Sequence, residues 1–245
     1  MLVEALLVAI IALIGRAETR FGMQLFIEEP LVLCTLTGAV LGDIATGLAI
    51  GATLQLVFLG NMGIGAATPS DQVLGSVIGT AIAILTGQGV EVGVALSLPV
   101  ASLGQALVIL IRTTLNEFFL RRADRGAAEG NDKLITQSHL LAGICYCVIS
   151  AFIPAFLAVY AGTGVVENLV AVIPTKILSG LRAASKMMPA LGFATLFNQM
   201  YSKNTLVYFI LGFVLMAYLK VDILCIAALA CCLAYIINSL TAHVD

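Results

Sequence analysis

The chain is laid out as long charge-free apolar runs separated by single charges or short polar stretches. Residues 1–15 form the first run, interrupted only by Glu4. Residues 16–29 are mixed and carry Arg16, Glu18, Arg20, Glu28 and Glu29. Residues 30–42 are apolar and lead into Asp43, and 44–70 carry no charge but are rich in glycine. Runs 72–90 and 92–111 are divided by Glu91. The one long hydrophilic stretch, 112–133, follows, and 134–166 is charge-free again. Residues 167–186 are amphipathic, with Glu167, Lys176, Arg182 and Lys186. Runs 187–202, 204–219 and 223–244 close the chain.

A membrane-crossing helix needs about 20 apolar residues. Several of these runs are shorter, and 44–70 is broken by glycines. Helices dominate in lipid because free N–H and C=O groups find no water there, and broken helices persist only inside protein or beside a wet cavity. Short, glycine-interrupted segments therefore point to a transport site. The pattern predicts an all-α polytopic membrane protein with broken or re-entrant hairpins, and 44–71 is the leading site segment.

Composition agrees. The 245 residues are 60% apolar and 11% charged. A soluble domain carries about 25% charge, so this chain lacks the ionisable groups to coat a soluble globule. The net charge of −2 gives no basic stripe of the kind nucleic acid requires, and no nucleic-acid partner is expected. Residues 1–15 lack the basic start and cleavage site of a secretory signal and read as a first span that is retained.

Of 23 glycines, 12 fall within residues 38–93. The pairs Gly38/Gly42, Gly47/Gly51, Gly75/Gly79 and Gly89/Gly93 are each four apart, the spacing that lets helix backbones touch. Gly60, Gly63 and Gly65 crowd six residues, which disfavours a continuous helix and predicts a turn or unwound segment at membrane depth. The stretch 112–133 holds Arg112, Arg121, Arg122, Arg125 and Lys133. Basic residues set orientation, so it is expected as a cytoplasmic loop, serving topology or docking a soluble partner.

No Walker loop, zinc-protease helix or serine elbow is present. The cysteines, Cys34, Cys145, Cys147, Cys225, Cys231 and Cys232, all lie in apolar stretches and read as packing residues. His139 begins an apolar run and reads as interfacial, and His243 as solvated. No metal site and no cofactor are expected.

The chemistry rests on polar groups in apolar surroundings, where an ionisable residue marks a pathway or an internal partner. They are Glu28, Glu29, Asp43, Asp71 and Glu91, with Gln24, Gln55, Asn61 and Thr68. Amides and carboxylates in fixed directions suit a neutral, many-hydroxyl ligand such as a sugar, because a mismatched ligand leaves buried polar atoms unpaired. Gln55 is either a helix–helix hydrogen bond or a substrate contact. Asp71, after Pro69-Ser70, either caps the next helix or contacts substrate. Asp43, between Gly42 and Thr46-Gly47, reads as structural or interfacial.

The block from Glu29-Pro30-Leu31 through Cys34-Thr35, Gly38, Leu41-Gly42-Asp43 and Thr46-Gly47 continues as Gly51-Ala-Thr-Leu-Gln55, Leu59-Gly60 and Asn61 to Pro69-Ser70-Asp71. It resembles subunit IIC of the mannose/fructose/sorbose family of the bacterial phosphoenolpyruvate-dependent sugar phosphotransferase system. The family pattern runs RPL, CT, LGD and TG, then GGTLE or GGTLQ, then a Gly/Ala-rich loop ending near a Pro and an Asp. Gln105–Arg112, Ala123-Asp124, Val172-Ile173-Pro174 and Gly192–Asn198 fit it more loosely. Two departures stand out. Glu29 occupies the place of a basic residue. Phe21-Gly-Met-Gln24-Leu-Phe26 replaces an Asp-Glu-Phe-Gln-Phe run.

The resemblance implies a single IIC domain over residues 1–245 with an elevator-type fold, placed in the bacterial inner membrane as a multi-pass protein. It implies a sugar substrate, a IID membrane partner, and IIA and IIB cytoplasmic partners that relay phosphate on their histidines. A trimer of IIC–IID pairs in the lipid bilayer is expected. The chain is then a transport subunit rather than an enzyme. Gln55 falls on the family's sugar-contacting position, and Asn61 and Asp71 on polar positions of the adjoining loop. The expected substrate-binding set is Gln55, Asn61, Asp71, Thr68, Gln24 and Glu28. The rival readings are an ion-coupled transporter using Asp43, Asp71 or Glu91, and a non-transporting membrane scaffold.

Overall fold

The computed structural model describes residues 1–22, 24–61, 69–161, 175–202 and 205–241. Every element among these is helical. They fall into two compact units, Met1–Leu196 and Phe197–Asp245.

In the first unit, α1 (Leu2–Phe21) opens the chain. It extends past the apolar run 1–15 because Arg16 and Glu18, the residues that end the run, are themselves buried. Two short helices follow, α2 (Pro30–Leu41) and α3 (Ile44–Val57). Pro30 is pre-set for a helix start, and Gly42 at φ 85° ends α2 in the left-handed conformation that glycine adopts without penalty. Asp43 then caps α3 by accepting from the Thr46 N–H at 3.0 Å, the structural role its neighbours predict.

With 12 and 14 residues, α2 and α3 are about 18 and 21 Å long, short of the ~30 Å hydrocarbon core. The helix α4 (Gln72–Leu85), also 14 residues, is equally short. The broken-hairpin expectation holds here. The helix α3 stops at Val57 and gives way to a turn at 58–60, as the crowded glycines predict; 62–68, which include Gly63 and Gly65, lie outside the described residues.

The helix α5 (Val90–Ala128) has 39 residues. It absorbs most of the expected 112–133 loop: Arg112–Ala128 continue the helix, and Asp132 and Lys133 begin the next. Hydrophilic sequence here means a solvated helix. Its Leu, Arg, Glu and Ala residues favour helix, and Arg121 pairs with Glu117 one turn earlier at 2.9 Å. The helix α6 begins at Asp132–Cys147, widens into a π turn at Val148–Phe152, and runs on to Ala161. Only α5 and α6 are long and apolar enough, among the described residues, to cross a membrane alone. The helix α7 (Thr175–Met200) follows.

The main core packs α1, α4 and the later part of α6 through Val8, Ile11, Leu74, Val77, Ile78, Ala155 and Val159, joined by Leu33 of α2. A second core joins α2, α3, α4 and α5 through Cys34, Ile50, Leu54, Ala83, Val94 and Ala101. Gly75 and Gly79 of α4 face Ser97 and Ala101 of α5, so that glycine pair does bring helix backbones together. The second unit contains α8 (Thr205–Ala217) and α9 (Ile223–Thr241). No buried residue occurs in α8.

Candidate functional site

Of the expected site residues, Gln55, Asn61 and Asp71 lie at or just beyond helix ends. Glu29 precedes α2, and its carboxylate accepts from Gln55 Nε2 at 2.6 Å. Gln55 Oε1 accepts from the Leu31 N–H at 3.1 Å. That N–H belongs to the first turn of α2, which has no intrahelical acceptor. One carboxamide near the end of α3 thus binds both a side chain and the backbone at the start of α2. The helix–helix reading of Gln55 is realised. The group still has capacity for further hydrogen bonds, since an amide carries two N–H donors and two lone pairs.

Asn61 makes a second clasp. Its Nδ2 donates to the Ser70 carbonyl at 2.7 Å, and its Oδ1 accepts from the Ser70 N–H at 2.9 Å. The two bonds hold Asn61 against Ser70. Asp71 comes next. It caps α4 by accepting from the Leu74 N–H at 3.1 Å, so the capping reading is also realised. Its own N–H donates to the Ala101 carbonyl at 3.0 Å.

Asp71 has a further partner that the sequence did not announce. The Arg16 guanidinium donates to its second carboxylate oxygen, and both side chains are buried. Arg16 also acts on Glu28. Burial pushes the Glu28 carboxyl above its ordinary value, partly offset by a hydrogen bond with Thr19 and by the charge of Arg16. Among the described residues, Arg16 is therefore the cation that bears on both Glu28 and Asp71. Its clearest sequence signal is a basic residue directly ending an apolar run, because a charge that helical continuity would bury needs a counter-charge.

Gln24 lies on the link between α1 and α2, exposed, with φ 54°. Phe26 on the same link has φ 60°. Left-handed backbone at two non-glycine residues marks a constrained segment. Thr68 lies outside the described residues. The structure thus brings Gln55 to Glu29 and Arg16 to Asp71, with Asn61 clasped to the residue before Asp71 and Glu28 within the electrostatic reach of Arg16. Among the described residues it brings no group to Gln24. Helix α7 closes on this region, for a Cβ on Gly192 would collide with the Leu56 carbonyl and one on Gly60 with the Thr195 hydroxyl.

Residues 2–236 match the family described as "PTS system sorbose-specific iic component". The mannose-specific EIIC component of Escherichia coli K12 is 34% identical over 233 residues, covering 95% of this chain and 86% of that protein. Two solved structures are each 33% identical and cover 98% of this chain and 96% of theirs. One, described as a membrane protein, superposes with a TM-score of 0.86. The other, with a TM-score of 0.62, is the mannose transporter ManYZ in complex with microcin E492. An all-helical membrane fold with half-length hairpins, matched over nearly its whole length, makes this chain a member of the sorbose-type IIC family of phosphotransferase-system sugar permeases.

Proposed function

We propose that this chain binds a sugar beside the Gln55–Asp71 segment and carries it across the bacterial inner membrane, where a IIB partner phosphorylates it on the cytoplasmic side. The observation that carries the reading is the concentration of polar side chains at the ends of three half-length helices. Glu29 and Gln55 join α2 to α3, while Asn61, Asp71 and Arg16 gather at the start of α4. A neutral, many-hydroxyl ligand exchanges for such contacts at little cost, because each bond given up is replaced by one to a hydroxyl. Gln55, Asn61, Asp71, Thr68, Gln24 and Glu28 are the residues we assign to the sugar.

Phosphorylation traps the sugar inside, so transport needs no ion gradient. This chain supplies binding and access, and IIA and IIB supply phosphoryl transfer. A rigid-body, elevator-type movement of the half-length hairpins exchanges the two sides. The two-part name of the ManYZ transporter supports pairing with a IID membrane subunit, and a trimer of such pairs is the expected assembly. The basic residues Arg112, Arg121, Arg122, Arg125 and Lys133 support a cytoplasmic position for the tip of the α5–α6 hairpin.

The test is sugar phosphorylation in membranes carrying this chain, a IID subunit and the soluble phosphotransfer proteins, over a panel of labelled sugars. Product that requires both this chain and phosphoenolpyruvate is the expected result and names the substrate. Uptake that ignores phosphoenolpyruvate but collapses with an uncoupler would instead identify an ion-coupled carrier. Uptake that survives Gln55→Ala and Asp71→Ala but is lost when Gly47 and Gly51 are enlarged would reduce the chain to a scaffold.

A further inference from the structure

A cavity of about 800 Å³ lies away from the Gln55–Asp71 segment, between the end of α1, the second half of α5 and the first half of α6. Two guanidinium groups, from Arg20 and Arg112, line it. Arg20 lies over the Tyr146 ring at 4.8 Å and donates to its hydroxyl at 3.3 Å. Among the described residues, neither arginine has a carboxylate partner. Among the described lining residues the one carboxylate, Glu117, is paired with Arg121 at 2.9 Å. The cavity is therefore cationic. Asn116 and His139 add polar groups, while Phe21, Phe119 and Leu120 give it an apolar side. At its floor Gly143 meets the Phe21 ring so closely that a Cβ would collide with it.

Its depth along the membrane normal follows from the charge pattern. Residues 92–111 of α5 are charge-free and span about 30 Å as a helix, the thickness of the hydrocarbon core. Arg112 is the first charge beyond them, at the boundary, and the helix continues to Ala128 outside. Tyr146 lines the same cavity from α6, and tyrosine is enriched at that level. Two cations with no carboxylate partner among the described residues, a phenol and an aromatic wall thus coincide at headgroup depth. Basic pockets between helices on the cytoplasmic side take anionic lipid headgroups.

We propose that this cavity binds the phosphate of an anionic phospholipid, held by Arg20 and Arg112, with the glycerol and upper acyl chains against Phe21, Phe119 and Leu120. The commitment to a lipid over a free phosphate rests on that apolar side and on the membrane-boundary position of Arg112.

The test uses the full chain in nanodiscs of mixed phosphatidylglycerol and phosphatidylcholine, with lipid retained after mild extraction counted by native mass spectrometry. The wild type is expected to retain phosphatidylglycerol over phosphatidylcholine. Arg20→Gln and Arg112→Gln are each expected to cut that preference about fivefold, the ratio matching the ~1 kcal/mol a basic side chain gains beside anionic lipid. Arg112→Lys keeps the charge and is expected to keep the preference. Arg125→Gln, exposed and outside the cavity, is expected to leave it unchanged. Circular dichroism on each variant identifies any that fails to fold, and the Arg112→Lys and Arg125→Gln pair then still decides between a site and a general charge effect. No preference in the wild type, or an equal loss in Arg125→Gln, would overturn the proposal. So would displacement of the lipid by millimolar inorganic phosphate, which would make the occupant a free anion.

Discussion

Arg16 and Asp71, 55 residues apart, form a buried ion pair that ties the second half of α1 to the start of α4. The same carboxylate caps α4 through the Leu74 N–H. One side chain thus anchors a helix start and neutralises an interior cation. Removing one member of a buried pair costs about 3–5 kcal/mol, whereas removing both costs far less. Arg16→Met leaves a buried carboxylate, and Asp71→Asn leaves a buried guanidinium while keeping a capping oxygen. Each is expected to destabilise the protein strongly. The double variant is expected to recover at least ~2 kcal/mol against the sum of the singles. Equilibrium unfolding in mixed micelles measures the cycle, and additivity within about 0.5 kcal/mol would show that the two charges are uncoupled.

The contact between Gln55 and Glu29 gives a sharper prediction, because Glu29 stands where relatives of this kind often carry a basic residue. At Gln55 the family pattern accepts Glu as well as Gln. In this chain Gln55→Glu would face a second carboxylate across the 2.6 Å contact. Like charges so placed repel, and transport is expected to fall at least tenfold, equivalent to about 1.4 kcal/mol. Adding Glu29→Arg turns the repulsion into a charge-assisted pair and is expected to restore most of the loss. Phosphoenolpyruvate-dependent sugar uptake by the two single variants and the double measures this. An active Gln55→Glu single variant would mean that the contact does not govern the site.

Much of the fold was legible in the charge-free runs. The break after α3 follows from its glycines, Asp71 sits where a cap was readable after Pro69-Ser70, and the structural role read for Asp43 turns out to be a cap on α3. The pairings were not legible. Nothing local in Arg16 names Asp71, and nothing in Gln55 names Glu29, since both contacts arise only when helices distant in sequence pack together. Hydropathy also ended α1 too early. It scores Arg16 and Glu18 as solvent-seeking, yet Arg16 has a buried partner and Glu18 accepts from the Leu25 N–H. The 112–133 stretch misled in the opposite sense, because charge at i and i+4 supports a solvated helix as readily as it marks a loop.

Glu28 makes one stability difference depend on pH. Its carboxyl is raised from the model-peptide value of 4.5, chiefly by burial. A carboxylate with a raised folded-state value binds its proton more tightly in the folded protein. The resulting penalty is absent below the unfolded value and grows as pH rises through and above it. Glu28→Gln is therefore expected to melt at a higher temperature than the wild type near pH 7 and to match it near pH 4. Thermal melts at the two pH values check this, and a gap that is the same at both would assign the effect to packing instead.

Helix contact through glycine separates close packing from ordinary helix propensity. In the α2–α3 hairpin, Gly38 and Gly47 stand face to face: a Cβ on Gly47 would lie 2.5 Å from the Cys34 carbonyl and 2.8 Å from the Gly38 Cα. No side chain fits there unless the two helices part. Gly180, on α7, has nothing within 4 Å of the same position. Glycine in an open helix position costs roughly 0.5–1 kcal/mol against alanine, while overfilling a packed contact costs typically 1–3 kcal/mol. Gly180→Ala is expected to be neutral or stabilising, and Gly47→Ala destabilising by more than 1 kcal/mol. The same substitution thus changes sign with the distance to the neighbouring backbone. Thermal unfolding of the two variants side by side measures it, and equal shifts would show that the hairpin tolerates separation and that its glycines serve propensity alone.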